Sequence, residues 1–342
     1  MEYVIPEKFL NESTDIKIVD VRSPGEYLEG HIPQAANIPL FTDRERAEVG
    51  KLYKNIGKLE AIKKGLSFVG PRMEKLAKQA LEQAIDQTIK VYCWRGGMRS
   101  EKMAWLFELV GLKAYVLKGG YKAYRKYILD SFKNIPKLVV IHGPTGSGKT
   151  DILKYLRKKG EQVLDLEELA SHRGSAFGAI GMGSQPPTQV FQNNLYVEFE
   201  KFNQDKLIWV EGESMSIGKV YLPETLWESM NSALVIKIVM KRELRAERLV
   251  NDYGSSDRTL LAESIKKISK RFGKNNVLEC IEMLEKNDLH GVAMKLLDYY
   301  DKTYTFSLEK YKKHKPMIIN CESSEPSENG DLILREIKKT SF

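Results

Sequence analysis

A cysteine in the run CWRGGMRS, which begins at Cys93, is the strongest candidate for a nucleophile in this chain. The run follows an apolar strand-like segment and leads into a helix-like segment, so the thiol lies beside a helix N-terminus with unpaired N–H groups and partial positive charge. Gly96 and Gly97 let the backbone curl until several N–H groups point at one spot. Arg95 and Arg99 add full positive charge. These surroundings favour a thiolate, the nucleophilic form, over the alternative of an inert core cysteine.

A second candidate site is the glycine-rich run GPTGSGKT, which follows the apolar run KLVVIH. It fits the P-loop pattern G-x-x-x-x-G-K-[ST] between a strand and a helix. Backbone N–H groups of such a loop hold a diphosphate or triphosphate, the lysine reaches terminal phosphate oxygens, and the last hydroxyl can bind Mg²⁺. The predicted phosphate-binding residues are Gly143, Thr145, Gly146, Ser147, Gly148, Lys149 and Thr150. The pattern does not tell which molecule carries the phosphates.

Three further residues are candidates for contacts with an anion or a metal ion. Arg173 lies in a long glycine-rich stretch, which suits a mobile anion-binding loop and equally a flexible surface loop. Glu211 and Glu213 end the apolar run LIWV, at the place where P-loop proteins usually carry an Asp that holds Mg²⁺. A Glu there weakens the case for ordinary Mg-ATP hydrolysis. Helix capping or a salt bridge stays open for both, and no metal ligand is assigned beyond them.

The overall composition bounds the class of protein that carries these sites. A chain of 342 residues is long enough for two domains, and contents of 42% hydrophobic and 29% charged residues fit a globular protein. No apolar run approaches the roughly 20 residues of a membrane span. The first residues lack a secretory signal pattern, so we expect a cytoplasmic protein with no membrane partner. Three cysteines far apart in the chain argue against a disulfide framework and against a zinc site.

The charge of the chain bears on its partners. The net charge is +8, from 54 basic and 46 acidic residues. An excess of this size is compatible with a polyanionic partner, but charge alone slightly favours a lysine-rich surface that keeps the protein soluble. Basic helical runs near tyrosines in the last hundred or so residues suit RNA backbone contact and base stacking, and they are also ordinary surfaces.

Alternating strands and helices must position both candidate sites. Strand-like runs occur at 15–21, 36–40, 89–92, 114–117, 137–142, 163–166, 207–214, 234–240 and 317–320. Helix-like runs separate most of them, including one over 45–64, and a polar loop over 322–330 precedes a short C-terminal helix. This alternation predicts parallel sheets with helices on both faces. We expect one domain over 1–132 with the Cys93 loop and a second over 133–342 with the P-loop and a basic helical C-terminal region.

The first domain resembles the rhodanese family. The run DVRSPGEYLEGHIPQAANIPL, the Cys93 loop and the run LKGGYKAY occur in that family's order, over roughly the first 130 residues. The resemblance implies a parallel-sheet fold and a cysteine that carries a persulfide or a related group, in a loop that ends at Arg99. Asp20 and Arg22 match positions that mostly hold the fold and the loop, and His31 matches a hydrogen-bonded turn residue.

The chain as a whole resembles the tRNA 2-selenouridine synthase family. The motifs that carry this resemblance are DVRSPGEY, ERAEVGKLYK, CWRGGMRS, GPTGSGKT, LASHRGSAFG, SQPPTQ and YYDKTY. The implied fold class is α/β, with a rhodanese-like parallel-sheet domain followed by a P-loop NTPase-like α/β domain with a helical C-terminal part. The implied enzyme is a transferase that acts on 2-thiouridine at the wobble position of certain tRNAs.

The resemblance also implies the reaction and its participants. The sulfur is first alkylated with a geranyl group from geranyl diphosphate, and selenium from selenophosphate then replaces the geranylthio group. These are substrates, and no tightly bound cofactor is expected, although Mg²⁺ is compatible with the P-loop. Partners are the tRNA anticodon region and an enzyme that supplies selenophosphate. Cys93, Arg95 and Arg99 are then the catalytic residues of selenium transfer, and the P-loop binds the diphosphate.

Two other classes of function stay open on the sequence alone. One is an ATP-dependent sulfurtransferase that thiolates tRNA, in which the P-loop activates a uridine oxygen or phosphorylates a small substrate. The other is a nucleotide-gated RNA-binding module without catalysis. Alkylation with geranyl diphosphate in the absence of nucleotide would exclude the first. Retained tRNA binding with no modification of a thiouridine substrate would favour the second.

Overall fold

The structure is a computed structural model that describes residues 1–11, 15–133, 135, 137–308 and 316–340, with only the backbone of 303–308. The side chains of Thr303 and Tyr304, the last two residues of the YYDKTY run, lie outside the described residues. The chain divides into two compact units. The first consists of Met1–Ser131 and Pro187–Val197, and the second of Phe132–Pro186 and Glu198–Phe342.

The first unit is built on a five-stranded parallel sheet. Its strands are β1 (Glu2–Val4), β2 (Ile18–Asp20), β3 (Ala36–Asn37), β4 (Thr88–Tyr92) and β5 (Lys113–Leu117). They pair in the order β1-β5-β4-β2-β3, so β4 lies in the centre. Four of its five residues are buried, because helices cover both faces of the sheet. The loop after β4 therefore begins at the middle of the sheet's carboxyl edge.

Among the described residues up to Ser131, seven helices accompany this sheet. They are α1 (Pro6–Asn11), α2 (Pro24–Glu29), α3 (Asp43–Asn55), α4 (Lys58–Val69), α5 (Met73–Gln83), α6 (Met98–Leu109) and α7 (Gly120–Asp130), with a 3₁₀ turn at Gly70–Arg72. The helical run expected over 45–64 is two helices, because Gly57 adopts a φ of 137° that interrupts them. The expected turn after Asp20 contains the short helix α2. Ser23 caps it in a capping box with Glu26, and a proline occupies its first turn.

The second unit has its own five-stranded parallel sheet and a small hairpin. Its strands are β6 (Leu138–His142), β7 (Gln162–Leu164), β8 (Ile208–Glu211), β9 (Ser216–Ile217), β10 (Val220–Tyr221), β11 (Leu234–Met240) and β12 (Met317–Cys321). The sheet order is β12-β11-β6-β8-β7, and β9 and β10 pair antiparallel. Strand β6, which enters the P-loop, lies in the centre with β8 at its side.

The remaining helices are α8 (Lys149–Lys158), α9 (Leu166–Ala170), α10 (Thr188–Phe199), α11 (Glu224–Ser232), α12 (Arg242–Tyr253), α13 (Arg258–Lys267), α14 (Ser269–Phe272), α15 (Lys274–Glu285), α16 (Leu289–Leu308) and α17 (Pro326–Lys338). Most of α10 belongs to the first unit, and the others lie on the faces of the second sheet or form a helical part. Residues of α13–α16 and of the loop before α10 form an apolar core of their own, which we call the helical core.

Most of the predicted architecture is confirmed: two α/β units with parallel sheets, and a helical part in the second. The polar loop expected over 322–330 is wrong in its second half, because Pro326 starts α17 as its first helical residue. Within the described part of the chain, no helix has the length and apolar character needed to cross a membrane.

Candidate active sites

Cys93 follows β4 directly, and its side chain is only 3% exposed. Its Sγ lies 3.2 Å from the Ser100 hydroxyl, and that hydroxyl donates to the Gly97 carbonyl oxygen at 3.0 Å. A hydroxyl has a single proton, so Ser100 either donates to Gly97 and accepts from the thiol, or turns to donate to a thiolate. Ser100, at the end of the recognised motif, is therefore a hydrogen-bond partner that sequence reasoning did not single out.

Backbone amides at the start of α7 hold the Cys93 loop in place. The amide of Tyr121 donates to the Cys93 carbonyl oxygen at 2.8 Å, and the amide of Lys122 donates to the Trp94 carbonyl oxygen at 3.0 Å. Gly120 has a φ of 59°, and a Cβ there would overlap the Cys93 carbonyl oxygen. This close approach explains why the run LKGGYKAY accompanies the cysteine motif.

A buried ion pair supports the loop from the interior of the first unit. Arg22 and Asp20 are 1% and 0% exposed, with Nη2 2.6 Å from Oδ2, and Arg22 Nη2 also donates to the Gly30 carbonyl oxygen at 2.6 Å. Burial lowers the pKa of Arg22, but the hydrogen bonds and negative charge of Asp20 raise it by more, so the pKa of Arg22 is raised overall. The guanidinium lies 4.0 Å from the ring centroid of Tyr121. Both residues thus hold the fold, as the sequence indicated.

His31 is a turn residue, in agreement with its interpretation from the sequence. Its Nδ1 lies 2.9 Å from the Tyr27 carbonyl oxygen, and its ring stacks on Tyr27 with centroids 3.8 Å apart. The His31 carbonyl oxygen accepts a hydrogen bond from the Asn193 amide at 2.6 Å. Asn193 is fully buried and also receives Arg125 Nη1 at 2.6 Å, so the residues after the SQPPTQ run complete the first unit.

The two predicted arginines of the Cys93 loop have different surroundings. Arg99 binds the Glu26 carboxylate through both terminal nitrogens, at 2.8 and 3.3 Å. Burial would raise the pKa of Glu26, but its hydrogen bonds with Arg99 outweigh this and lower it. Arg95 is exposed and has no ion pair within the described residues. Arg95 therefore offers a free positive charge beside Cys93, whereas the charge of Arg99 is shared with Glu26.

The predicted P-loop has the expected strand, loop and helix arrangement, between β6 and α8. Gly146 and Gly148 have φ of 79° and 74°, which an L side chain rarely adopts. Lys149 Nζ donates to the Gly143 carbonyl oxygen at 3.2 Å and lies 3.4 Å from Glu211 Oε1. The Ser147 hydroxyl is fully buried and has no hydrogen-bond partner among the described residues.

Three carboxylates meet beside the P-loop, each offering an oxygen within 4.8 Å of the others: Glu167, Glu211 and Glu213. Thr150 Oγ1 lies 3.0 Å from Glu167 Oε2 and 3.1 Å from Glu211 Oε2. Burial and then the charge of Glu211 raise the pKa of Glu167 and of Glu213 to about 8. The positive charge of Lys149 acts to lower the pKa of both residues.

These oxygens form a donor set that fits a hard divalent cation such as Mg²⁺. The mutual repulsion of the carboxylates indicates a need for positive charge at this point beyond that of Lys149. Glu211 and Glu213 were predicted from the sequence, and Glu167 was missed. Glu167 lies in the first turn of α9, which follows β7, and β7 flanks β8 in the sheet. The signal in the sequence was weak, because acidic residues commonly follow a strand.

Arginines from α12 brace the P-loop. Arg245 is 4% exposed, binds both carboxylate oxygens of Asp301 and donates to the Thr145 carbonyl oxygen at 3.1 Å. Arg248 forms an ion pair with Asp151, in the first turn of α8. In the structure these two arginines are therefore paired with acids of α16 and α8.

The structure places Arg173 beside Tyr253. It is exposed, and its guanidinium lies 5.7 Å from the ring centroid of Tyr253. The next residue, Gly174, is close to the acidic cluster: a Cβ there would lie 2.6 Å from Glu213 Oε2. The glycine-rich loop thus passes close to Glu213 at Gly174, and the Arg173 side chain lies beside Tyr253.

An apolar pocket reaches the P-loop from the helical core. Its wall includes Thr145 of the P-loop, Leu249 of α12, Phe177 of the glycine-rich loop, and Ala293 and Leu296 of α16. No charged side chain is among the described residues that line it. Sequence reasoning did not find this pocket.

Comparison with known proteins agrees with this architecture. A model of the rhodanese-like domain matches residues 6–127, and a model of the tRNA 2-selenouridine synthase AAA domain matches residues 136–325. The tRNA 2-selenouridine synthase of Shewanella woodyi is 34% identical over 331 residues, covering 86% of this chain and 88% of that protein. The protein of that name from Nitrosomonas europaea is 38% identical over 249 residues, 70% of this chain, and the chain spans 64% of its length. The chain belongs to the tRNA 2-selenouridine synthase family.

Proposed function

We propose that the chain converts 2-thiouridine in a tRNA anticodon to 2-selenouridine, by S-geranylation followed by selenium transfer. One observation supports this most: the same chain carries a thiol in the loop after β4 and a P-loop with an apolar pocket at its side. The tRNA substrate follows from the name shared by the relatives. We place the reaction in the cytoplasm, where tRNA is available, and an enzyme that supplies selenophosphate is a further partner.

The first step uses the second unit. The sulfur of 2-thiouridine attacks the first carbon of geranyl diphosphate, the carbon–oxygen bond breaks, diphosphate leaves, and the base loses its N3 proton. The P-loop amides and Lys149 hold the leaving diphosphate and stabilise the charge that develops on it. A bound Mg²⁺, held by Thr150, Glu167, Glu211 and Glu213, would neutralise further charge on the diphosphate.

The apolar pocket is the site that we assign to the geranyl chain. The chain and the diphosphate are joined by one bond, so an apolar site must open at the phosphate loop itself, and Thr145 belongs to both. The pocket therefore favours a prenyl diphosphate over a nucleoside triphosphate as the donor.

The second step uses the first unit. We assign Cys93 as its nucleophile: the thiolate adds to C2 of the geranylated base and expels geranylthiolate. The selenium of selenophosphate then adds at C2 and expels Cys93, and water cleaves the selenium–phosphorus bond to release phosphate. No oxidant or reductant is needed. Arg95, the loop amides and Arg99 hold the anionic donor, with Arg95 as the free charge.

The test is mass spectrometry of an anticodon stem-loop with 2-thiouridine, incubated with geranyl diphosphate and then with selenophosphate. The wild-type protein should add a geranyl mass without any nucleotide and then produce selenouridine. Cys93→Ser should keep the first product and lose the second. Cys280→Ala, which removes a buried thiol of the helical core, is the control and should keep both. Loss of both steps in a folded Cys93→Ser protein would overturn this division, and a nucleotide requirement would favour ATP-dependent thiolation.

A further inference from the structure

An aromatic column in the first unit ends at the surface beside Cys93. Tyr124 and Tyr121 are 1% and 0% exposed, with ring centroids 5.7 Å apart. Trp94 follows, with its ring centroid 5.9 Å from that of Tyr121 and an interplanar angle of 43°. Trp94 is 36% exposed and is the residue after the candidate nucleophile. The column thus leads from the core to an open aromatic surface one residue from the thiol.

Neighbouring groups support Trp94: a hydrogen bond holds its backbone, and Arg22 and Tyr121 lie next to its ring. The Lys122 amide holds the Trp94 carbonyl oxygen at 3.0 Å. The Arg22 guanidinium lies 5.9 Å from the Trp94 ring and 4.0 Å from the Tyr121 ring, and it is bound to Asp20. A planar group that stacks on Trp94 therefore meets a preorganised surface, and little conformational entropy of the protein is lost on binding.

The surroundings of this surface suit a nucleic acid. Arg95 and Lys122, on either side of Trp94 in the hydrogen-bonded loop, are exposed and form no ion pair within the described residues. Met98, in the first turn of α6, is also exposed, at 42%. An unpaired base has an apolar π-face and a phosphate on each side, and proteins that bind single-stranded RNA stack such bases on aromatic rings next to positive charge.

We propose that Trp94 is the platform on which the target uridine of the tRNA stacks while its C2 is presented to Cys93. This inference rests on the proposed function for the identity of the base, but binding can be measured without turnover. Stacking on Trp94 selects a flat base and leaves its edge free, which suits a site that must accept 2-thiouridine, its geranylated form and the selenium product in turn. Trp94 is then a positioning residue, and Cys93 performs the chemistry.

The test measures dissociation constants for a fluorescently labelled anticodon stem-loop and for the same RNA with an abasic target nucleotide. Trp94→Ala should weaken binding of the stem-loop that carries 2-thiouridine by roughly 5- to 150-fold, the range expected for one stacked base. It should leave binding of the abasic RNA unchanged, and Trp94→Phe should recover most of the loss. Trp105→Ala, which removes another exposed tryptophan of the same unit, is the control.

The outcomes separate this inference from the proposed function. An equal loss for both RNAs, or no loss for either, would overturn stacking on Trp94 even if the wild-type protein makes selenouridine. A base-dependent loss would support the platform even if the wild-type protein made no selenouridine, which would count only against the proposed reaction. Thermal unfolding of each variant establishes that it is folded, and the Phe variant remains informative if the Ala variant unfolds.

Discussion

The apolar pocket beside the P-loop makes a quantitative prediction about the donor. Ala293 lies on α16, is 6% exposed and lines the pocket. Replacing it with Leu keeps a good helix former and fills part of the space with additional methyl and methylene groups. If the geranyl chain occupies this space, Ala293→Leu should displace part of it, and the dimethylallyl chain, which has one isoprene unit fewer, should be displaced less.

The expected size of the effect follows from the apolar surface that the donor can no longer bury. Leu carries about three more carbon atoms than Ala, and each displaced methylene costs about 0.8 kcal/mol, so about 2.4 kcal/mol of binding is lost, or about 60-fold in kcat/KM for geranyl diphosphate. The rate with dimethylallyl diphosphate, low in the wild-type protein because its chain buries less surface, should fall less. The ratio of the two rates should therefore fall, by up to about 60-fold.

The assay is alkylation of a 2-thiouridine stem-loop with each donor, followed by mass spectrometry. Ala262→Leu is the control, because Ala262 packs against the same helical core without lining the pocket. It should leave the ratio of the two donors unchanged. The reasoning is refuted if Ala293→Leu slows both donors equally, which would indicate general destabilisation, or if it leaves the geranyl rate at the wild-type level in a folded protein.

Two further predictions concern charges near the two loops. Glu26→Gln should reduce the free energy of unfolding at neutral pH by about 1.5–3 kcal/mol, the range for hydrogen bonds to charged groups. Because the pKa of Glu26 is lowered in the folded protein, the wild-type protein is more stable than the variant above the unfolded pKa, and this advantage disappears as pH falls through the folded pKa. Identical acid unfolding curves for both proteins would contradict this prediction. Glu167→Gln should abolish the rise in melting temperature that Mg²⁺ gives the wild-type protein. Glu168→Gln, at the exposed neighbouring position, is the control and should keep this rise. If Glu167→Gln still responds to Mg²⁺, Glu167 is not part of the cation site.

The residues of each loop were predictable because they are neighbours in sequence. Cys93 and Arg95 lie between β4 and α6, and Lys149 and Thr150 follow β6, so a strand–loop–helix pattern is enough to bring them together. The parallel sheets were predictable for a similar reason, since alternation of strands and helices leaves few other arrangements. The interruption at Gly57 was less evident, because a glycine within a charged helical run is often tolerated.

Partners that are distant in sequence could not be predicted. Arg99 binds Glu26 across 73 positions, and Glu167 reaches Thr150 only because β7 is placed beyond β8 in the sheet order. The pocket combines residues from the P-loop, the glycine-rich loop and four helices, and no local pattern marks them as neighbours. Sequence could suggest that α12 is salt-bridged, but only the structure shows that Arg245 holds the P-loop backbone at Thr145.

The two loops have different electrostatic settings, and this difference suits the two donors that we propose. The P-loop has Lys149 facing Glu167, Glu211 and Glu213, whose burial and crowding raise the pKa of Glu167 and Glu213, so the positive charge of Lys149 is already shared with this acidic cluster. A diphosphate that arrives with a divalent cation satisfies those carboxylates as well as the loop amides. Beside Cys93, the nearby carboxylate of Glu26 is already paired with Arg99, and Arg95 remains available. That loop can therefore accept a small anion without a metal ion, which suits a selenium donor whose soft selenium atom must stay free to react.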